Sequence, residues 1–155
     1  MNKTMQGVAA MTTLVAATVL HDIGHLALYL KLPDQVQVIL REATEQHRPG
    51  HEVEIATLGY DHGELGAALL TSWRLPEAVI EPVRYHHFPA AAKNYPLEAS
   101  LVSVANDLVH ETADHQAAPE QTQRLLDELG IDHEQCAQAR ASAEAQLGDT
   151  LSMFM

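Results

Sequence analysis

Residues 21–26 read HDIGHL, and they close a long apolar run. His21 and Asp22 offer an imidazole and a carboxylate side by side, and His25 adds a second ring. Adjacent side chains on a helix point about 100° apart. Such a pair therefore chelates a single ion poorly and works better where a carboxylate is shared between two ions. The chain has ten histidines. His21, His62, His86 and His87 fall at expected helix ends or on apolar helix faces. A buried neutral imidazole must satisfy two ring nitrogens. One such residue is ordinarily a hydrogen-bonded core histidine; four of them, with Asp22 and Asp107 in helical contexts, are harder to explain that way. Imidazole and carboxylate together suit iron, manganese, zinc or nickel. The spacing is not that of a compact structural zinc site. His47, His51, His110, His115 and His133 lie in polar surroundings and are expected on the surface, with His25 between the two groups.

The elements that must position these groups all read as helices. Residues 5–20 are rich in alanine, leucine and methionine and predict a buried helix, with the apolar pattern resuming after Gly24. Pro33 and Asp34 mark a new start, and Val36, Ile39 and Leu40 form its stripe. Residues 48–50 predict a loop, and 51–59 a short helix stopped by Gly59. Asp61 is a good N-cap with Glu64 three residues on. Leu65, Leu69 and Trp73 then share a face, Trp73 being expected as a core anchor. Residues 75–87 predict a helix opened by Pro76 and kinked or ended at Pro82. Leu97, Leu101, Val104 and Leu108 form the stripe of a helix over 96–114. Two further helices are expected over 119–130 and 132–149. No strand or repeat is visible, so the fold class is all-α.

The 155 residues suit one domain with a sizeable core. The net charge of −12 opposes a phosphate backbone, which argues against direct nucleic-acid binding. Nine of the acids fall in 111–155, against two bases, so the tail is expected to be the more solvated part. A lone cysteine, Cys136, forms no internal disulfide, which fits a reducing cytoplasm; its polar neighbours predict an ordinary thiol. Residues 5–20 are short for a membrane span, carry three threonines and a glutamine, and lead into His21–Asp22 without a clear cleavage site. Neither a span nor a leader is expected.

The order LHDIGHL (20–26), LGYDHGELGAALLTSWRLP (58–76), RYHHFP (84–89) and SVANDLVH (103–110) resembles the HDOD domain, the HD-related output domain of bacterial signalling proteins. It is similar, more distantly, to the HD-GYP phosphodiesterases. The resemblance covers roughly residues 8–115. It implies an all-helical HD-superfamily core over 1–115, with the acidic helices of 116–155 packed on it. It also implies a metal centre on His21, Asp22, His62, His86, His87 and Asp107. Three departures stand out. His25 replaces the lysine that often follows HDxG in HD-GYP enzymes, HHFPAAAKNYP carries no DGxGYP element, and residues 1–20 hold no histidine and no acid. The chain looks like the later part of such a domain.

Two functions follow from the resemblance. One is a regulatory or output module without turnover, with or without a bound divalent metal, meeting other signalling domains or a second copy of itself. The other is a metal-dependent phosphohydrolase acting on a nucleotide or cyclic dinucleotide, with Arg84 and Lys93 as the nearest candidate phosphate contacts. Surface cations are the commoner reading of both. Tyr85 is expected to pack, and Met153–Met155 to fray or to dock on a neighbour.

Overall fold

A computed structural model describes residues 3–114 and 120–152, with the side chains from 10 to 109 and most of those from 120 to 146. The surface positions expected for His110, His115 and His133, and the end Met153–Met155, lie outside the described side chains. Nine helices follow one another among the described residues, with no strand: α1 (Lys3–Leu20), α2 (Ile23–Lys31), α3 (Pro33–Gln46), α4 (Gly50–Leu58), α5 (His62–Ser72), α6 (Glu77–Tyr85), α7 (Pro96–Asp114), α8 (Glu120–Leu129) and α9 (His133–Ser152). A single 3₁₀ turn, Pro89–Ala91, links α6 to α7. The all-α class holds.

The main core joins Ala17 of α1, Ala67 and Leu70 of α5, Val79, Ile80 and Val83 of α6, and Val102 of α7. A second, smaller cluster on the other side of α7 joins Val104, Leu126 and Cys136, drawing in α8 and α9. Because α7 serves both clusters, its buried positions spread wider than one stripe: Val104 is buried, Leu101 and Leu108 are half-buried, and Leu97 is exposed.

The close approaches are made by small residues. α5 buries His62, Gly63, Gly66, Ala67 and Leu70, not the face of Leu65, Leu69 and Trp73. Trp73 is 54% exposed at the end of α5, so it is no core anchor. Glycines on the buried face let two backbones reach α5. A Cβ on Gly24 of α2 would lie 1.9 Å from the His62 carbonyl oxygen and 2.9 Å from the Gly66 nitrogen. On the opposite side, a Cβ on Gly63 would come within 3.1 Å of the carbonyl oxygens of Val83 and Arg84 in α6. The start of α5 is thus pressed between the start of α2 and the end of α6.

The helix ends are specified locally. The Asp61 carboxylate caps α5 through Glu64 N–H at 2.8 Å. Gly59 closes α4 in the left-handed region, with φ +86°. Pro82 does not end α6, which runs three residues further. Its missing N–H removes one bond near the helix start, to the Ala78 carbonyl, and its ring is fully buried, which offsets that loss.

α1 differs most from expectation. It is not a buried helix: Ala17 is buried, but Met11, Val15 and Val19 stand exposed on one stripe. On α2, Leu26, Tyr29 and Leu30 are exposed too. The reason is that α1 packs along one face only, on α6 and α7. By length and composition alone Ala10–Lys31 could cross a membrane, with a mean hydropathy of 1.4. The chain turns at His21–Asp22 within that stretch and starts a new helix.

Gly24→Ala is expected to destabilise the fold by about 3 kcal/mol or more, because the neighbour in its way is backbone. Gly50→Ala, with nothing within 4 Å of the added atom, is expected to be neutral or to stabilise by up to about 1 kcal/mol. Urea unfolding of the two variants checks the contrast; equal effects would remove the close approach as the constraint.

Candidate metal centre

Four helix ends meet around His62. His21 and Asp22 form the turn between α1 and α2, His62 is the first residue of α5, and His86 and His87 follow α6. His62 and His86 are buried; His21 and His87 are half-buried.

Fixed acceptors decide where the ring protons sit. His21 Nδ1 lies 2.7 Å from the Thr18 carbonyl oxygen. His86 Nδ1 lies 2.7 Å from that of Val83. His62 Nδ1 lies 2.7 Å from Glu54 Oε2. A carbonyl or carboxylate oxygen only accepts, so each Nδ1 carries the hydrogen and each neutral ring is left with a bare Nε2. These nitrogens converge. His62 Nε2 is 3.3 Å from His86 Nε2, 2.9 Å from His87 Nε2 and 3.3 Å from Asp22 Oδ1. His21 Nε2 is 3.3 Å from both Asp22 Oδ2 and Asn106 Oδ1. One added proton on His62 Nε2 serves a single acceptor; the other lone pairs still face one another.

The charges follow. Burial works against an imidazolium at His62, but Asp22 and Glu54 outweigh it and raise its pKa to about 9. Burial likewise opposes ionisation of Asp22 and Glu54, yet their histidine partners hold both carboxyls well below the usual range. His21 is raised against burial by Asp22. Burial pushes His86 down to about 3 and His87 well below the ordinary range, assisted by the neighbouring rings.

Of the residues anticipated from sequence, His21, Asp22, His62, His86 and His87 are brought together. Asp107 is not. Its carboxylate turns to the Thr122 hydroxyl of α8 and the Asn106 amide, and the α7 side chain that reaches His21 is Asn106. Arg84 is half-buried and Lys93 exposed, and neither forms an ion pair with the described residues. Tyr85 is half-buried.

Three participants were not foreseen. Glu54 is buried on α4 and takes the His62 backbone N–H at 2.7 Å, its Nδ1–H, and His25 Nε2 at 3.1 Å. The available signal was an acid between Val53 and Ile55. His25 stacks on His62 with centroids 3.7 Å apart. His51, expected on the surface, is half-buried and stacks on His87 at 3.9 Å. Glu81 does related work outside the cluster. Its buried carboxylate accepts the backbone N–H groups of Lys93, Asn94 and Tyr95 at 2.7–2.9 Å, tying the loop after the histidine pair to α6. Burial opposes its ionisation, but these donors keep its pKa low.

The donor set suits a divalent cation. His62, His86 and His87 offer ring nitrogens that all lie within 4.8 Å of one another, as do ligand atoms of His21, Asp22 and His86. The far nitrogens of His21, His62 and His86 are held by acceptors, the outer arrangement that orients histidine ligands.

The HDOD domain model matches residues 3–89, more than half of the chain. An uncharacterized protein of Treponema pallidum (strain Nichols) is 33% identical over 88 residues, 56% of this chain and 17% of that protein. A crystal structure from Marinobacter aquaeolei VT8, of a protein provisionally assigned to signal transduction, superposes with a TM-score of 0.73 at 26% identity. It covers 88% of this chain and 31% of that one. The chain thus spans less than a third of either relative.

The metal-free cluster predicts a stability maximum. His62 keeps its proton up to about 9 in the fold and to about 6.5 when unfolded. Its contribution is whole below about pH 6.5 and lost as pH climbs towards 9. His86 runs the other way: neutral in the fold down to about 3, it costs stability as pH falls from the unfolded value of 6.5. In excess chelator the melting temperature should peak near pH ~6.5 and fall on both sides, with a shallower alkaline limb in His62→Gln. A melting temperature rising steadily through the alkaline range would contradict this. Glu54→Ala strands two donors of His62 and should cost about 3 kcal/mol or more in urea unfolding.

Proposed function

The chain belongs to the HDOD domain family, and from that premise we propose that it is a regulatory module of signal transduction that holds a divalent cation in its histidine cluster without catalytic turnover. One observation carries the metal reading: the Nε2 atoms of His21, His62 and His86 converge with His87 and the Asp22 carboxylate. His62, His86 and His87, with Asp22 and His21, would hold the ion, and iron, manganese, zinc or nickel matches that donor set. When bound, the cation supplies positive charge where the lone pairs of four helix ends otherwise face one another. The residues themselves fix ring orientation: Glu54 for His62, the Val83 carbonyl for His86 and the Thr18 carbonyl for His21. Ligation joins the turn after α1, the start of α5 and the end of α6, so occupancy couples to how these helices pack. The signalling role takes support from the family and from the superposed Marinobacter protein. Partners in this reading are other signalling domains or a second copy of the chain, in the cytoplasm, and not nucleic acid, which a net charge of −12 repels.

A second reading, metal-dependent phosphohydrolase, is favoured by the exposure of Asp22, whose carboxylate reaches solvent at the cluster's edge. Arg84 and Lys93 would be its nearest phosphate contacts. The regulatory reading is preferred because neither cation is directed by an ion pair and the acidic surface does not gather phosphate esters.

Protein purified without a histidine tag should carry metal by elemental analysis and should melt at higher temperature when manganese or zinc is added. At a hundredfold excess over Kd the gain is about 2.7 kcal/mol. Chelator should reverse it, His62→Ala and His86→Ala should abolish it, and Asp107→Ala should retain it. No metal after reconstitution would sink the metal reading. Hydrolysis of a nitrophenyl phosphodiester that is lost in Asp22→Asn would move the protein to the second reading.

A further inference from the structure

The face of α1 turned away from the core is apolar and uncovered. Met11, Val15 and Val19 are 69%, 55% and 76% exposed, while Ala17 is fully buried in the core that α1 shares with α6 and α7. The three exposed residues recur at every fourth position, so they form one ridge along the helix. The row beside it is low, with Thr12 and Ala16. A ridge of this kind packs into the matching groove of another helix, at a crossing angle of about −50°. Two copies of the same helix satisfy that pairing symmetrically, each ridge entering the groove of the other about an axis near Val15. Past the turn at His21–Asp22, α2 adds Leu26, Tyr29 and Leu30, each at least half exposed.

Area and charge both point to a second copy. Six apolar side chains exposed to this degree offer on the order of 100 Å² apiece, or about 600 Å² in each copy. A typical monomer carries a largest apolar patch of roughly 300–600 Å², and a standard interface takes about 800 Å² from each partner, part of it from the polar rim. Residues 4–31 hold one acid, Asp22, and one base, Lys31, so the net charge of −12 lies entirely outside them. Two copies repel each other elsewhere and meet here without that cost. A lipid surface fits this face less well, because helices that dock on anionic membranes carry several lysines or arginines on their polar side.

We propose that this face of α1, extended by the exposed residues of α2, is the interface of a two-fold symmetric dimer of the chain. The proposal goes beyond the regulatory reading, which leaves the partner open, and is independent of any cation in the histidine cluster.

Sedimentation equilibrium of the tag-free full chain should give a dimer both with and without chelator. Val15→Glu sets two carboxylates against each other near the axis, and should raise the dimer dissociation constant about a hundredfold or more with helicity unchanged. Leu97→Glu, on a comparably exposed residue of α7, should leave that constant where it is. In a Cys136→Ala background, Val15→Cys should yield a disulfide-linked dimer under mild oxidant, and Leu97→Cys should not. A monomeric parent would overturn the proposal, and flotation of that monomer with phosphatidylcholine vesicles would assign the face to a membrane instead. A dimer that survives Val15→Glu with its affinity intact would put the interface elsewhere and overturn it too. If Val15→Glu loses the parent's helicity, the cysteine variants decide: linkage through Val15→Cys alone supports the interface, and linkage through Leu97→Cys alone removes it.

Discussion

Where a side chain on Gly24 would begin, the carbonyl oxygen of His62 already sits. That approach of α2 to α5 fixes much of what surrounds it. It brings the turn carrying His21 and Asp22 against the first residue of α5, and Gly63 repeats the arrangement towards the carbonyls of Val83 and Arg84, just before the histidine pair. Polar groups from well-separated parts of the chain meet because the residues between them are small enough to let main chain touch main chain. The apolar core, with Ala17, Ala67 and Val83 among its smallest members, fills in around that contact.

Close packing of this kind leaves little freedom to the polar groups it encloses. Each ring nitrogen that faces a carbonyl or carboxylate is committed to donate, so the opposite nitrogen is committed to accept. The cluster can place a proton on His62, as the elevated pKa of that residue indicates; in the proposed metal-bound form a cation would take the ring nitrogens instead. Proton and cation compete for the same lone pairs. Glu54 favours the charged form of His62 and also aims its Nε2, so one carboxylate strengthens both competitors.

The helices, their caps and the HD and HH pairs were legible in the sequence because each is marked by its immediate neighbours. Contributions fixed by rotation about a helix axis were not. Asn106 and Asp107 are adjacent, yet only Asn106 turns to His21, while Asp107 faces Thr122 across α7 and α8. Glu54 carries one faint local sign, its place between Val53 and Ile55, which does not say which way its carboxylate points. Trp73 and the apolar residues of α1 misled for a related reason: size and hydrophobicity suggest burial, but the buried faces here are chosen by how closely backbones approach. The regularity of α5 hid that its buried face is the one with two glycines and an alanine.

His62 opens a helix and His86 caps one, and helix termini are where hydrogen-bonded structure frays most readily. Two carboxylates counter that tendency. Asp61 holds Glu64 N–H in the first turn of α5, while Glu54 holds His62 N–H. Both amides lie in a first turn that has no carbonyl of its own helix to bond. The consequence concerns solvent exchange: these two amide hydrogens are released by separation of α4 and loss of the cap, not by the independent breathing of a helix end. The start of α5 therefore exchanges in step with the packed unit around it, and the outermost turn of the helix acquires the slow opening of its interior.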